Sequence, residues 1–212
     1  MPTKVHHPLF ARYYAWASAR MEPSVFGPHR DRLLAGLAGR AIEVGAGNGL
    51  NFAHYPAAVA HVLAVEPEAR LRELAEAEAA RAAVPVEVVD GTADALPAPD
   101  GAYDAAVTSL VLCTVPDVPA ALAEIRRVLR PGGELRFLEH VQADTPGLAR
   151  VQRVLDATVW PILGGGCHTH RDTAAAIEAA GFTITDVTRL RINTGAPPTA
   201  PHIMGTAVSP GP

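Results

Sequence analysis

The stretch Glu43-Val44-Gly45-Ala46-Gly47-Asn48-Gly49 constrains this chain more than any other. It closes a short apolar run, with Ala41, Ile42 and Val44, that reads as a buried strand cut off by glycines. A strand that breaks into three alternating glycines makes a tight turn whose backbone comes close to something. Glycine adopts positive φ and has no Cβ to hold a ligand away. Two phosphate-binding patterns fail here at identifiable residues. A G-x-G-x-x-G fingerprint needs a sixth-position glycine, and that position is Leu50 counted from Gly45 and Phe52 counted from Gly47. A P-loop needs a lysine followed by Ser or Thr, and Lys4 is the only lysine of the chain.

The remaining pattern, acidic-x-G-x-G-x-G, resembles motif I of the class I S-adenosylmethionine (SAM) methyltransferases. SAM carries no phosphate, so the loop needs no lysine, and Glu43 is available to its ammonium group directly or through water. The next strand, His61–Val65, ends at Glu66-Pro67. An acid at the end of the second strand can accept hydrogen bonds from both ribose hydroxyls. The plainer alternative is an ordinary βα turn with Glu66 as a solvated acid. The resemblance implies cofactor contacts from Glu43, Gly45, Ala46, Gly47, Gly49, Asn51, Glu66, Pro67, Thr92, Ala93 and Leu110. The segment Gly91–Pro97 is similar to the one that borders the adenine in this family. Many relatives carry Asp where Thr92 stands, so the adenine contact falls to Thr92, Asp94 or backbone.

The implied fold is α/β: a Rossmann-like sheet of seven mostly parallel strands with helices on both faces. A chain of 212 residues suits one such unit. The βαβ core begins at Arg40, which leaves residues 1–39 as an N-terminal helical lid and 40–212 as the SAM-binding domain. The lid segment His7–Arg20 carries Leu9, Phe10, Tyr13, Tyr14 and Trp16 at helical spacing, and a second helix after Gly27-Pro28 carries Leu33, Leu34 and Leu37. Plain packing and closure over the carboxyl ends of the strands are both open to these aromatics.

Further along, residues 68–82 read as a helix anchored by Leu71 and Leu74, and Val86–Asp90 as a central strand. Tyr103–Leu110 reads as a fully buried fourth strand. Asp117 caps a helix whose apolar face runs Val118, Leu122, Ile125, Leu129, and Pro131-Gly132-Gly133 ends it. Leu135–His140 is the fifth strand. Helices Leu148–Trp160 and Arg171–Ala180 and strands Phe182–Leu190 and His202–Val208 complete the expected order, with a loose tail after them.

Composition excludes some partners. A net charge of −4 argues against a nucleic-acid footprint, which wants clustered Lys and Arg. No apolar run approaches the ~18 residues of a membrane helix. Two cysteines and no signal-like N-terminus point to a reducing, cytoplasmic setting. One lysine among 18 lysines and arginines, with many alanines, fits bacterial GC-rich coding. The oligomeric state is left open.

Several strings narrow the resemblance: Asn48–Phe52 with Tyr55-Pro56, Leu110–Val115, Leu129–Gly133, Leu138–Val141 and Gly166–Thr173. Over roughly residues 40–190 the chain is similar to the methyltransferase-like-seven family, whose animal members methylate alkyl thiols, and to ubiquinone/menaquinone and phosphatidylethanolamine methyltransferases. The animal enzymes carry an apolar N-terminal membrane anchor, and the opening Met1–His7 is not one. The implied acceptor is a small-molecule thiol, with N- or C-methylation of a lipid or quinone-like molecule as the alternative. A cofactor-binding regulatory subunit is the non-enzyme alternative, disfavoured by the intact motif I.

Methyl transfer from a sulfonium needs alignment and exclusion of water, and a thiol of pKa near ~8.5 needs only modest help to ionise. The catalytic candidates are His140, at the end of strand five, and Cys113, after strand four near the methyl. Each also reads as structural, a strand-end histidine and a packed thiol. Cys167, His168 and His170 crowd into four residues without a second cluster, so no metal is expected and this loop is read as acceptor wall.

Overall fold

A computed structural model describes residues 8–193 and 195–210. The opening Met1–His7, including the expected first residue of the lid helix, and the last two residues lie outside the described residues. The chain order is α1 (Pro8–Met21), one wide π-type turn (Glu22–Phe26), α2 (Gly27–Leu34), β1 (Gly39–Val44), β2 (Val59–Val65), α3 (Ala69–Ala79) and β3 (Val86–Val89). There follow β4 (Tyr103–Ser109), α4 (Val118–Val128), β5 (Leu129–His140), α5 (Pro146–Asp156), α6 (Trp160–Leu163), α7 (Thr173–Ala179), β6 (Thr183–Arg191) and β7 (Pro201–Val208).

The seven strands form one sheet in the order β3-β2-β1-β4-β5-β7-β6. The first five are parallel, and β7 runs antiparallel to both β5 and β6. The order reverses between β1 and β4, so the crevice for ligands opens at the carboxyl ends of those two strands. β1 is buried on both sides, as a parallel strand covered by helices must be. Ile42 and Val44 face a core completed by Leu122 and Ile125 of α4 and Ile177 of α7. Ala41, with Val62 and Val107, faces the other, where Leu33 and Leu34 of α2 close the layer. Each buried leucine or isoleucine contributes about 1.5–3 kcal/mol.

The structure corrects several sequence-based expectations. Among the described residues β3 is an edge strand, paired only with β2 and half-exposed, and not a central one. In α3 the second anchor beside Leu71 is Ala75, and Leu74 is only half-buried. Gly49 packs against this anchor, since a Cβ there would stand 3.1 Å from the Ala75 Cα. Leu129 opens β5 by pairing with Tyr103 and does not extend α4. β4 ends at Ser109, since Leu110 turns the chain with a φ of 63°.

The expected helix Leu148–Trp160 is two pieces. Pro161 cannot donate a helix-interior hydrogen bond, and the Asp156 carboxylate at the break accepts from the backbone of Thr169 and His170. α5 is held down by Gln152, which bonds the backbone of Ala143, Val141 and Pro198.

Candidate functional site

The loop after β1 is built from glycines whose roles differ. Gly45, Gly47 and Gly49 all have positive φ, at 68°, 57° and 80°. A Cβ on Gly45 would stand 2.7 Å from a Val111 methyl, and one on Gly49 would stand 2.8 Å from the Phe52 ring. Those two glycines let the loop pack against the protein. At Gly47 the nearest neighbour is Tyr14 at 3.4 Å, so this glycine presents bare backbone to the crevice. The N–H groups of Gly45 and Ala46 donate to the carbonyl of Val65, which moors the loop to the end of β2.

Glu66 follows directly. One carboxylate oxygen accepts from Gly47 N at 2.8 Å and the other from Glu68 N at 2.9 Å. Burial pushes its pKa up, against these two hydrogen bonds. Pro67 is half-buried beside it, and Glu68 caps α3 by accepting from Leu71 N. At the end of β3, Thr92 and Ala93 are half-buried, Thr92 bridges to Ala95, and Asp94 is exposed. A buried acid hydrogen-bonded to glycine backbone suits a cofactor that offers hydroxyls and no phosphate.

Glu43 lies under the loop rather than in it. Its oxygens accept from Asn51 Nδ2 at 2.9 Å and from the Tyr55 hydroxyl at 2.8 Å. Asn51 Oδ1 in turn accepts from Arg30 at 2.6 Å, and Arg30 also reaches Glu22 and Ser109 Oγ. Burial raises the Glu43 pKa to about 7, with the Tyr55 and Asn51 hydrogen bonds opposing the rise. This network ties the π turn, α2, the glycine loop and the end of β4 together. Arg30 and Tyr55 were not among the sequence-based candidates, because their partners stand 21 and 12 residues away.

The lid helix touches this loop through one face. Asn48 Nδ2 donates to Ser18 Oγ at 3.2 Å, and the Tyr14 ring covers Gly47. Burial raises the Tyr14 pKa, with the Arg30 guanidinium opposing the rise. Tyr13 and Trp16 point away, 62% and 59% exposed, with Arg20 over the Trp16 ring.

That far side begins at Leu110, whose left-handed conformation is an outlier for a bulky residue. Beyond it, the backbone N–H groups of Val111, Leu112 and Cys113 all donate to the buried Glu139 carboxylate, at 3.0–3.1 Å. Arg171 donates to the carbonyls of Leu112 and Val115, and His168 N donates to the Cys113 carbonyl at 2.7 Å. Two loops distant in sequence are thereby clamped together. Sequence reading did not single out Glu139, although two polar residues ending a buried strand was its signal.

The clamp brings Cys113 and His140 together, and Cys167 joins them. The Nδ1 atom of His140 is 3.5 Å from each sulfur, and the sulfurs are 3.8 Å apart. His168 and His170 stay outside this triangle. His168 stands 3.9 Å from Asp156, and His170 is held by its backbone. Cys113 holds the Cys167 thiol down to about 5 by hydrogen bonding, helped by His140. The Cys113 thiol is correspondingly raised. The Trp160 indole N–H is buried without a hydrogen bond of good geometry but lies close enough to favour the Cys167 thiolate as well. His202 packs on the His140 ring at 4.3 Å between centroids, and burial lowers its pKa to about 3, which keeps it neutral.

Comparisons with known proteins agree with this geometry. The family description "Methyltransferase domain" matches residues 42–137. Human thiol S-methyltransferase TMT1B is 34% identical over 180 residues, covering 82% of this chain and 73% of that protein. Its rat counterpart is 36% identical over 176 residues, covering 79% and 69%. A ubiquinone/menaquinone biosynthesis C-methyltransferase from Methylobacterium nodulans is 42% identical over 79 residues, covering 37% of this chain and 31% of that protein. Among solved structures, a methyltransferase of Bacillus halodurans superposes with a TM-score of 0.70 at 15% identity, covering 86% of this chain and 98% of that one.

Proposed function

Because the chain belongs to the thiol S-methyltransferase family and is a SAM-dependent methyltransferase, we propose that its acceptor is a small-molecule thiol. The observation that carries this reading is relatedness to thiol S-methyltransferases over 82% of the chain. The acceptor side of the crevice supports it, since the His140 imidazole at the end of β5 stands among sulfur atoms, with Nδ1 3.5 Å from each. Trp160 borders this group, and Ile162 and Leu163 are exposed in the same short helix, which suits an apolar thiol.

When bound, SAM supplies an electrophilic methyl on a sulfonium. Glu66 would accept hydrogen bonds from its ribose hydroxyls, and the Gly47 backbone would allow close approach. Gly45, Ala46, Gly49, Pro67, Thr92, Ala93 and Leu110 line the rest of the cofactor site. Glu43 and Asn51 hold the loop's shape from beneath. Cys113 and His140 serve the acceptor, and α1 with Tyr14 shields the crevice from water, which matters for a displacement between charged sulfurs. Residues 1–39 act as lid and 40–212 as the catalytic domain. No helix among the described residues is long and apolar enough to cross a membrane, and the two cysteines are free. Both fit an enzyme of the cytoplasm.

C-methylation of a quinone-like molecule is the second reading, favoured only by likeness over 37% of the chain. Incubation with methyl-labelled SAM and matched sets of alkyl thiols, amines and phenols tests the choice. Label is expected on thiols alone, and label on amines or ring carbons with none on thiols overturns it.

A further inference from the structure

We propose that Cys113, His140 and Cys167 form a zinc site with one position left open for the acceptor sulfur. Zinc–sulfur bonds of about 2.3 Å and zinc–nitrogen bonds of about 2.0–2.1 Å, at tetrahedral angles, give sulfur–sulfur edges of about 3.8 Å and sulfur–nitrogen edges of about 3.5 Å. The triangle in this structure measures 3.8, 3.5 and 3.5 Å. The three side chains come from the turn after β4, the end of β5 and the loop before α7, and their ligand atoms all lie within 4.8 Å of one another.

Hydrogen bonding alone accounts poorly for this convergence. The Nδ1 atom of an imidazole offers either one N–H or one lone pair, and here it faces two sulfurs equally. A cation at the centre satisfies both sulfurs and the nitrogen at once. The donor set, two thiolates and an imidazole, is the soft and borderline set that selects zinc over magnesium or calcium. The surroundings are those of a held site. Glu139 fixes the backbone of Cys113 through three N–H groups, and His168 N and Arg171 lock the two loops together. Such outer groups orient ligands and are part of a metal centre.

The number of ligands carries the functional content. Structural zinc sites close with four protein ligands, whereas catalytic ones keep three and leave a position open. Among the described residues this group has three. Resting on the proposed thiol acceptor, the open position takes the acceptor's sulfur. The acceptor S–H gives up its proton to solvent on binding the metal. The thiolate then forms the new S–C bond as the donor's S–CH3 bond breaks, and that bond's electron pair goes to the donor sulfur. Charge balances, because a thiolate and a sulfonium become two thioethers. The two cysteine protons leave earlier, when the metal is loaded.

The test uses the full chain, purified with a phosphine reductant so that both cysteines enter as thiols. Elemental analysis after dialysis against zinc is expected to give about one zinc per chain. Cys113→Ser and Cys167→Ser should lower occupancy by about tenfold or more, and His168→Ala and His170→Ala should leave it unchanged. Cobalt in place of zinc should show thiolate charge-transfer bands that shift when 1-propanethiol is added and not when 1-propylamine is. Circular dichroism of each variant separates lost metal from lost fold, and His140→Gln serves as a third ligand variant if a serine variant does not fold. A reduced, folded wild-type chain that holds no zinc yet methylates thiols overturns the metal site and leaves the thiol reading standing. A zinc-loaded chain that labels only amines overturns the role given to the open position.

Discussion

Glu43 is a buried carboxylate whose oxygens touch an amide and a phenol, and its nearest cation, Arg30, acts one residue removed through Asn51. Its pKa in the folded chain, about 7, lies above the 4.5 of a freely solvated glutamate. Between those two pH values the folded state holds a proton that the unfolded chain has released, so stability falls as pH rises through the window. The full swing is on the order of 3 kcal/mol. Glu43→Gln removes this ionisation, and Tyr55 can turn its hydroxyl to accept. The melting temperature of wild type relative to Glu43→Gln is therefore expected to drop from pH 4.5 to pH 7, and thermal melts at matched pH check it. Glu66 differs in its partner, since its buried carboxylate is bonded to the backbone of Gly47 in the glycine loop. Glu66→Ala should weaken SAM binding at least about tenfold, from hydrogen bonds of ~1–3 kcal/mol each, with the fold retained. Calorimetry showing unchanged affinity would remove Glu66 from the site. At this scale the sequence was legible where function is local, as in the glycines and the acid ending β2. It was misleading where function is assembled. Cys167 looked like a companion of His168 and His170 by spacing, yet its partners are 54 and 27 residues away.

Among the elements, α1 is bound to the rest by a narrow strip. Ala11 and Ser18 are buried and Tyr14 lies on Gly47, while Tyr13 and Trp16 stay in solvent. Deleting residues 1–20 should leave a folded domain whose melting temperature changes by no more than about 5 °C. Its SAM affinity and turnover should fall sharply, because the deletion uncovers the glycine loop and admits water. Tyr14→Ala should reproduce most of that loss and Trp16→Ala little of it, as measured by turnover with a fixed thiol. Unfolding of the truncated chain would show instead that α1 is part of the core. Aromatic spacing foretold the helix but not which aromatic turns inward, because Tyr13 and Trp16 share one face and Tyr14 falls on another. The same ambiguity misplaced β3. A run such as Val86-Glu87-Val88-Val89 has the composition of either a central or an edge strand, and only the pairing order decides.

Over the whole molecule, the βα alternation with one glycine loop pointed to a doubly wound sheet, and the crossover between β1 and β4 puts the crevice where such sheets bind ligands. The far end of that sheet is less regular. β7 lies between β5 and β6, pairing residues 202–208 with 134–140 on one side and 201–208 with 183–191 on the other. β6 therefore has no neighbour of its own until β7 arrives. During synthesis the chain leaves the ribosome from the N-terminus, so β5 waits with a bare edge while some sixty further residues are made. An unpaired edge of that kind invites pairing with other chains. Translation that stalls before residue 201 yields a molecule carrying every residue assigned to cofactor and metal, yet still holding an open seam. In this fold that seam closes only when β7 has been made.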